Sequence, residues 1–234
     1  MHGQTRNAFT ARALERLLCV ALALCVASSQ TLGAREPLPQ VSPEGLQLQK
    51  NTRNSAVYLR PGATFGAYKK VQIVDCYVEF AKNWQHDYNS AARGAGRGVR
   101  DEDMERIKSG LAALFKKVFT DELQSKGRYT VVDVAGPDVL VLRPALVNLR
   151  VNAPDLPTAE IRRTYVTSAG QVTLYLELLD SASGTLLARV LDAQADRDNI
   201  GKSANRVSNG FAAELIFRDW AQRLHQGLDA VRGT

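Results

Sequence analysis

The sequence predicts an α+β fold: a two-layer sandwich with two long amphipathic helices packed on one face of a mostly antiparallel sheet of about 4–5 strands. Three observations predict it. Residues 101–127 and 203–231 repeat apolar residues at helical spacing. Residues 171–178 alternate strictly: Val172, Leu174, Leu176 and Leu178 face one way, and Gln171, Thr173, Tyr175 and Glu177 face the other. That is a strand with one wet face. Finally, each amphipathic helix needs a surface to cover, and the apolar face of such a sheet supplies it.

The chain opens on a leader. Residues 17–27, LLCVALALCVA, are an unbroken apolar run preceded by Arg6, Arg12 and Arg16. The run is too short to span a hydrocarbon core, which takes about 20 helical residues. Its basic flank and the small residues behind it are those of a secretory signal. Residues 1–34, ending at Gly33-Ala34, read as a signal peptide. Residues 35–54, with Pro37, Pro39 and Pro43, read as an extended tether, and residues 55–234 as a single domain. A lipoprotein would carry Cys after the small residues. Arg35 stands there instead, and Cys25 follows Leu24, a poor fit. The expected product is a protein of the periplasm or cell envelope, with lipid attachment disfavoured.

Within the domain, Tyr58-Leu59-Arg60 enters and Pro61-Gly62 turns. Residues 71–80 are a strand bounded by Lys69-Lys70. Residues 85–100 lack an apolar period, contain Gly94, Gly96 and Gly98, and read as a surface loop. In the helix that follows, Met104, Ile107, Leu111, Leu114, Val118 and Leu123 form the stripe. Asp101, Glu102, Asp103 and Glu105 crowd its start, where the helix dipole favours negative charge, and Lys126-Gly127 suits its end. Residues 129–134 form a short strand and 139–151 a longer one. Pro144 has no N–H for a ladder, so it marks an edge, a bulge or a break. Residues 152–164 are a loop. The strand at 171–178 is turned by Asp180-Ser181-Ala182-Ser183-Gly184 into residues 185–195, a hairpin. The last helix carries Val207, Phe211, Leu215, Trp220, Leu224, Leu228 and Val231. A helical crossover joins the strands at 71–80 and 129–134, which permits parallel pairing.

Composition and motifs exclude more than they assign. The net charge is +6 with both signs mixed, a solvated surface with mild attraction for an anionic polymer. Cys19 and Cys25 fall in the leader. Cys76 is then left without a disulfide partner, and it alternates with Val74, Val78 and Phe80 as a buried small hydrophobe. Gly201-Lys202-Ser203 lacks the rest of a phosphate loop, and Asp196 would repel a phosphate; Ser203 or Asn205 reads as a helix cap. Arg93-Gly94-Ala95-Gly96-Arg97-Gly98 fails as a dinucleotide fingerprint because Val99 holds the third glycine's place. It has no interleaved aromatics for nucleic acid. His86 and His225 lack companions for a metal site, with His225 expected at a polar helix edge, and no serine-hydrolase elbow occurs. Trp84 and Trp220 read as core packing rather than a glycan-stacking surface. No catalytic, cofactor-binding or metal-binding residue is assigned, and no cofactor is expected. Asp133, Asp138, Asp180, Glu177 and Asp192 lie on or beside strands, where a pair meeting across the sheet would suit acid–base work.

Several ordered segments resemble DUF3313, a family of bacterial cell-envelope proteins of unknown function. They are Tyr58-Leu59-Arg60-Pro61-Gly62, Tyr68 and Val71, Val78, Phe80 and Trp84, Tyr129-Thr130-Val131-Val132-Asp133, and Gly136-Pro137-Asp138-Val139-Leu140. Gly170-Gln171-Val172-Thr173-Leu174, Glu177 to Asp180, Gly184, Trp220 and Leu228 complete the set. The resemblance implies export, often with a lipid anchor, and no attached activity. The resulting expectation is a non-enzymatic binding or accessory module for an envelope protein or anionic polymer. It would use the open sheet face, an edge strand or residues 85–100. Two alternatives stand beside it. One is a hydrolase of an envelope glycan or peptide, which needs two of Asp133, Asp138, Glu177 and Asp192 within about 10 Å in a cleft. The other is a small-ligand carrier, which needs a pocket between helices and sheet.

Overall fold

The computed structural model describes residues 37–92, 98–125, 127–151, 164–165, 170–195, 203–204 and 206–230. Its strands are β1 (Gln47–Asn51), β2 (Ser55–Leu59), β3 (Lys70–Ile73), β4 (Tyr77–Phe80), β5 (Thr130–Val131), β6 (Val139–Val151), β7 (Thr164–Tyr165), β8 (Gly170–Asp180), β9 (Leu186–Ala195) and β10 (Ser203–Ala204). The helices are α1 (Trp84–Ala91), α2 (Asp101–Ser125) and α3 (Arg206–Ala230).

Eight strands form one mixed sheet in the order β1-β2-β9-β8-β6-β3-β5, with β4 also paired to β6. The ladders from β1 to β6 are antiparallel. Those of β6 with β3 and β4, and of β3 with β5, are parallel. The α+β class holds, but the sheet is larger than the expected four to five strands, and it is mixed. Two causes account for this. The expected strand at 71–80 is two strands, broken at Val74–Cys76, and each pairs with a different half of β6. In addition, β1 and β2 come from the segment read as tether and entry. From Pro39 onward that segment belongs to the same compact unit as the rest, Pro39–Thr234, and Leu46 within it is fully buried.

Pro144 sits opposite Leu176 where the parallel neighbour of β6 changes from β3 to β4. The proline has no N–H to offer, and the neighbouring chain is out of strand at that point, so the break costs little. A bulge follows at Asn148, whose φ is 54°. The expected parallel pairing across the helical crossover is present between β3 and β5.

The main core lies between the sheet and α2 and α3. Leu142, Leu146, Leu174, Leu176 and Leu178 meet Phe115, Phe119, Phe217 and Trp220 there. Phe115 stacks on Phe119 at 3.9 Å and meets the edge of Phe217 at 5.4 Å. These phenylalanines, absent from the expected stripes, carry more of the helix contact than Met104 or Leu114, which are partly buried. Leu215, expected in the stripe of α3, is exposed. A smaller cluster of Leu46, Ala56 and Tyr58 lies apart from the main core.

The expected loop at 85–100 is half helix. α1 begins at Trp84, which stacks on Phe80 at 4.5 Å and on Tyr88, four residues on, at 5.4 Å. Two aromatics one turn apart are too few to show a period in a polar segment, yet they fasten this short helix to β4. Residues 93–97, with most of the glycine pattern, lie outside the described residues.

Candidate binding cleft

Of the carboxylates singled out by sequence, Glu177 and Asp192 do not converge. Register places Glu177 opposite Arg189 and Asp192 opposite Leu174, so these two acids project from opposite faces of the sheet. Each is already paired. Arg189 Nε and Arg143 Nε donate to Glu177 at 3.1 and 2.9 Å, and Tyr175 Oη donates at 2.9 Å. Arg223 donates to Asp192 at 2.9 Å and Gln194 at 2.7 Å. Asp138 pairs with Lys70 at 3.2 Å, and Asp180 caps its turn by accepting from the backbone of Ser183 at 2.7 Å. Asp133 is exposed.

Glu177 also corrects the expected wet face of β8, because it is buried. Burial by itself raises its pKa. Donors from Arg189, Arg143 and Tyr175 outweigh that and hold it below the usual carboxylate range. Arg189 extends the network to Glu44, which lies in the former tether, at 2.9 Å. That contact, with help from Ser42, lowers the Glu44 pKa to about 2.

The histidines are separate. His86 is exposed beside Asp87. His225, expected at a polar edge, is wholly buried against the Tyr129 ring at 5.6 Å. Cys76 is half-buried rather than fully buried, and burial pushes its thiol up to about 12. Trp84 and Trp220 are both core residues. Among the described residues no group of three or more His, Cys, Asp or Glu could hold a metal ion, and no helix is long and apolar enough to cross a membrane. Ser203 lies in β10, paired with Tyr165; Asn205 and the glycine and lysine before Ser203 lie outside the described residues.

The residues that do converge line a cleft of about 280 Å³ between α3 and the β8-β9-β2 part of the sheet. Its floor is two cross-strand rows, Val57-Val190-Leu176 and Leu59-Ala188-Leu178. A third row, Ser55-Asp192-Leu174, closes one end with polar groups. Trp220, Leu224 and Gly227 of α3 form the opposite wall. The floor deepens from β2 to β8: Val57 and Val190 are half-buried, and Leu176 is 1% exposed. The mouth therefore opens at the β1-β2 side, where Lys50 stands.

Gly227 helps to make the space. A Cβ built there meets no atom within 4 Å, although a helix-interior glycine costs about 1 kcal/mol relative to alanine. The Trp220 indole N–H is buried and has no acceptor among the described residues. The alternation of β8 showed the floor of this cleft in the sequence. The contribution of β2 was hidden, because its strand is short and reads as part of an entry segment.

Comparison with known proteins places the chain in a family. It belongs to DUF3313, a family of proteins of unknown function, whose model matches residues 40–224. The match includes the whole sheet side of the cleft and α3 as far as Leu224. Comparison with curated proteins finds no match. Similar solved structures include a PelC dodecamer from Paraburkholderia phytofirmans, 11% identical over 70% of this chain and 93% of that one, with a TM-score of 0.35. Protein XCC0632 from Xanthomonas campestris is 11% identical over 70% and 85%, with a TM-score of 0.37. Lipoprotein GNA1162 from Neisseria meningitidis is 16% identical over 65% and 96%, with a TM-score of 0.22.

Proposed function

We propose that this protein is an exported, non-enzymatic binding module of the bacterial cell envelope, and that the cleft between α3 and β9 is where it binds. The cleft carries the reading. It is concave and apolar, with a few polar groups at one end, as small-ligand sites are. The leader at residues 17–27 supports export. The carboxylates support a non-catalytic role: Glu177 and Asp192 point away from each other and are neutralised by arginines. A paired-carboxylate hydrolase needs two such groups facing one cleft.

Titration with the neutral fluorophore N-phenyl-1-naphthylamine tests this. We expect saturable binding with one site per chain. Gly227→Leu, which fills the cleft from its α3 wall, abolishes it, and Gly227→Ala keeps it. Val57→Glu, which plants a charge on the half-buried floor, abolishes it as well. Absence of saturable binding by the wild type, or binding unchanged in both blocking variants, overturns the reading.

A further inference from the structure

We propose that the ligand of this cleft is an anionic single-chain amphiphile, with its apolar chain on the floor and its carboxylate or phosphate head at the mouth beside Lys50. The inference rests on the cleft being a binding site, and it adds the ligand's chemistry. The depth gradient sets the orientation. The buried end, at Leu176 and Trp220, is apolar apart from the Trp220 indole N–H, Asp192 is buried in its own pairs, and Lys50 and Arg223 stand at the rim. A ligand that fits must be apolar at one end and polar at the other.

Size sets the chain. An apolar cavity of roughly 150 Å³ holds a benzene ring, and about 280 Å³ is open here. That is room for one short chain and too little for a two-chain lipid.

Charge sets the head. Three charged side chains line the cleft: Lys50, Arg223 and Asp192. Asp192 is 3% exposed and occupied by Arg223 and Gln194. Arg223 is in turn shared with Asp219. Within the lining Asp192 and Arg223 cancel, and Asp219, which shares Arg223, is exposed and outside the lining. Lys50 is exposed at the edge of the sheet, opposite Val57, and forms no ion pair among the described residues. Its ammonium is the charge left to meet a ligand, so the complementary head is an anion.

The test is displacement of bound N-phenyl-1-naphthylamine by three decyl amphiphiles below their micelle concentrations: decanoate, decyl phosphate and decyltrimethylammonium. Each is run against wild type and Lys50→Glu. We expect both anions to displace the probe at lower concentration than the cation. Relative to the neutral probe, whose own affinity is measured in the same variant, Lys50→Glu should weaken the anions by about threefold or more, the scale of one exposed charge contact. Decanoate against decyl phosphate then tells which anionic head is preferred. Equal displacement by anions and cation, or the same ranking in Lys50→Glu, overturns the proposal while the binding cleft stands. Failure of the probe itself to bind wild type overturns both.

Discussion

Glu177 shows how a single side chain can reverse the reading of a sheet face. It occupies a polar position in the alternation of β8, yet it is buried under Arg143, Arg189 and Tyr175. Replacing it with Gln removes the charge that satisfies two guanidinium groups. We expect Glu177→Gln to destabilise the fold by about 2 kcal/mol, the scale of hydrogen bonds to charged groups, read by urea denaturation. Arg143 is largely exposed, so Arg143→Ala should cost no more than about 1 kcal/mol. Cys76 gives a second test at this scale. With its thiol pushed up to about 12, it should react with iodoacetamide at pH 8 about 10³-fold more slowly than a free thiol, because the thiolate is the nucleophile. Unfolding in urea should restore the ordinary rate.

Among the elements, α1 and the start of α2 are joined through two amide side chains, Asn89 and Gln85. Asn89 accepts from the Val99 N–H at 2.7 Å and donates to its carbonyl at 2.9 Å, as a strand neighbour would. Gln85 adds a donor to the same carbonyl at 3.2 Å. Val99 is buried, so its backbone groups have no water to turn to. Asn89→Ala should therefore cost about 1–3 kcal/mol, measured as a fall in stability by denaturation. Gly98→Ala should act in the same direction, since its Cβ would lie 2.9 Å from Asn89 Oδ1. Beside this, α2 caps itself. Asp103 accepts from the Arg100 N–H at 3.0 Å and pairs with Arg106, a capping role beyond the dipole effect read from its acidic first turn. Gly227→Ala in α3 should raise stability by about 1 kcal/mol, because helix propensity improves and the new methyl group meets nothing.

Across the whole molecule, the segment from Pro39 to Asn51 is a working part of the sheet. Leu46 is buried beside Tyr58, Tyr58 Oη donates to the Pro39 carbonyl at 3.0 Å, and Glu44 holds Arg189. A chain beginning at Ser55 should lose stability by about 2–5 kcal/mol, the cost of emptying a buried leucine site. It should also expose β2 as a raw edge prone to association. Light scattering and thermal melting, compared with a chain beginning at Pro39, check this. The same network sets an acid limit. Glu44 has its pKa depressed to about 2, so its stabilisation is present above pH 4.5 and is lost as pH falls toward about 2; Glu177, also depressed, loses its contribution as pH falls below the ordinary carboxylate range. The wild type should lose stability over that window, and Glu177→Gln should lose less.

What the sequence determined by itself is local. The period of α2 and α3, the β8-β9 hairpin with its Asp180 turn, the ladder irregularity marked by Pro144 and the parallel crossover were legible because each is written in nearby residues as a period, a turn or a missing donor. The tertiary structure decided the rest. It set the size of the sheet and gave β1 and β2 their place in it. It buried Glu177 and His225, separated Glu177 from Asp192 across the sheet, and opened a cleft between α3 and β9. These are meetings of residues far apart in the chain. A strand of five residues gains its stability from the neighbour it pairs with, and no local pattern records which neighbour that is.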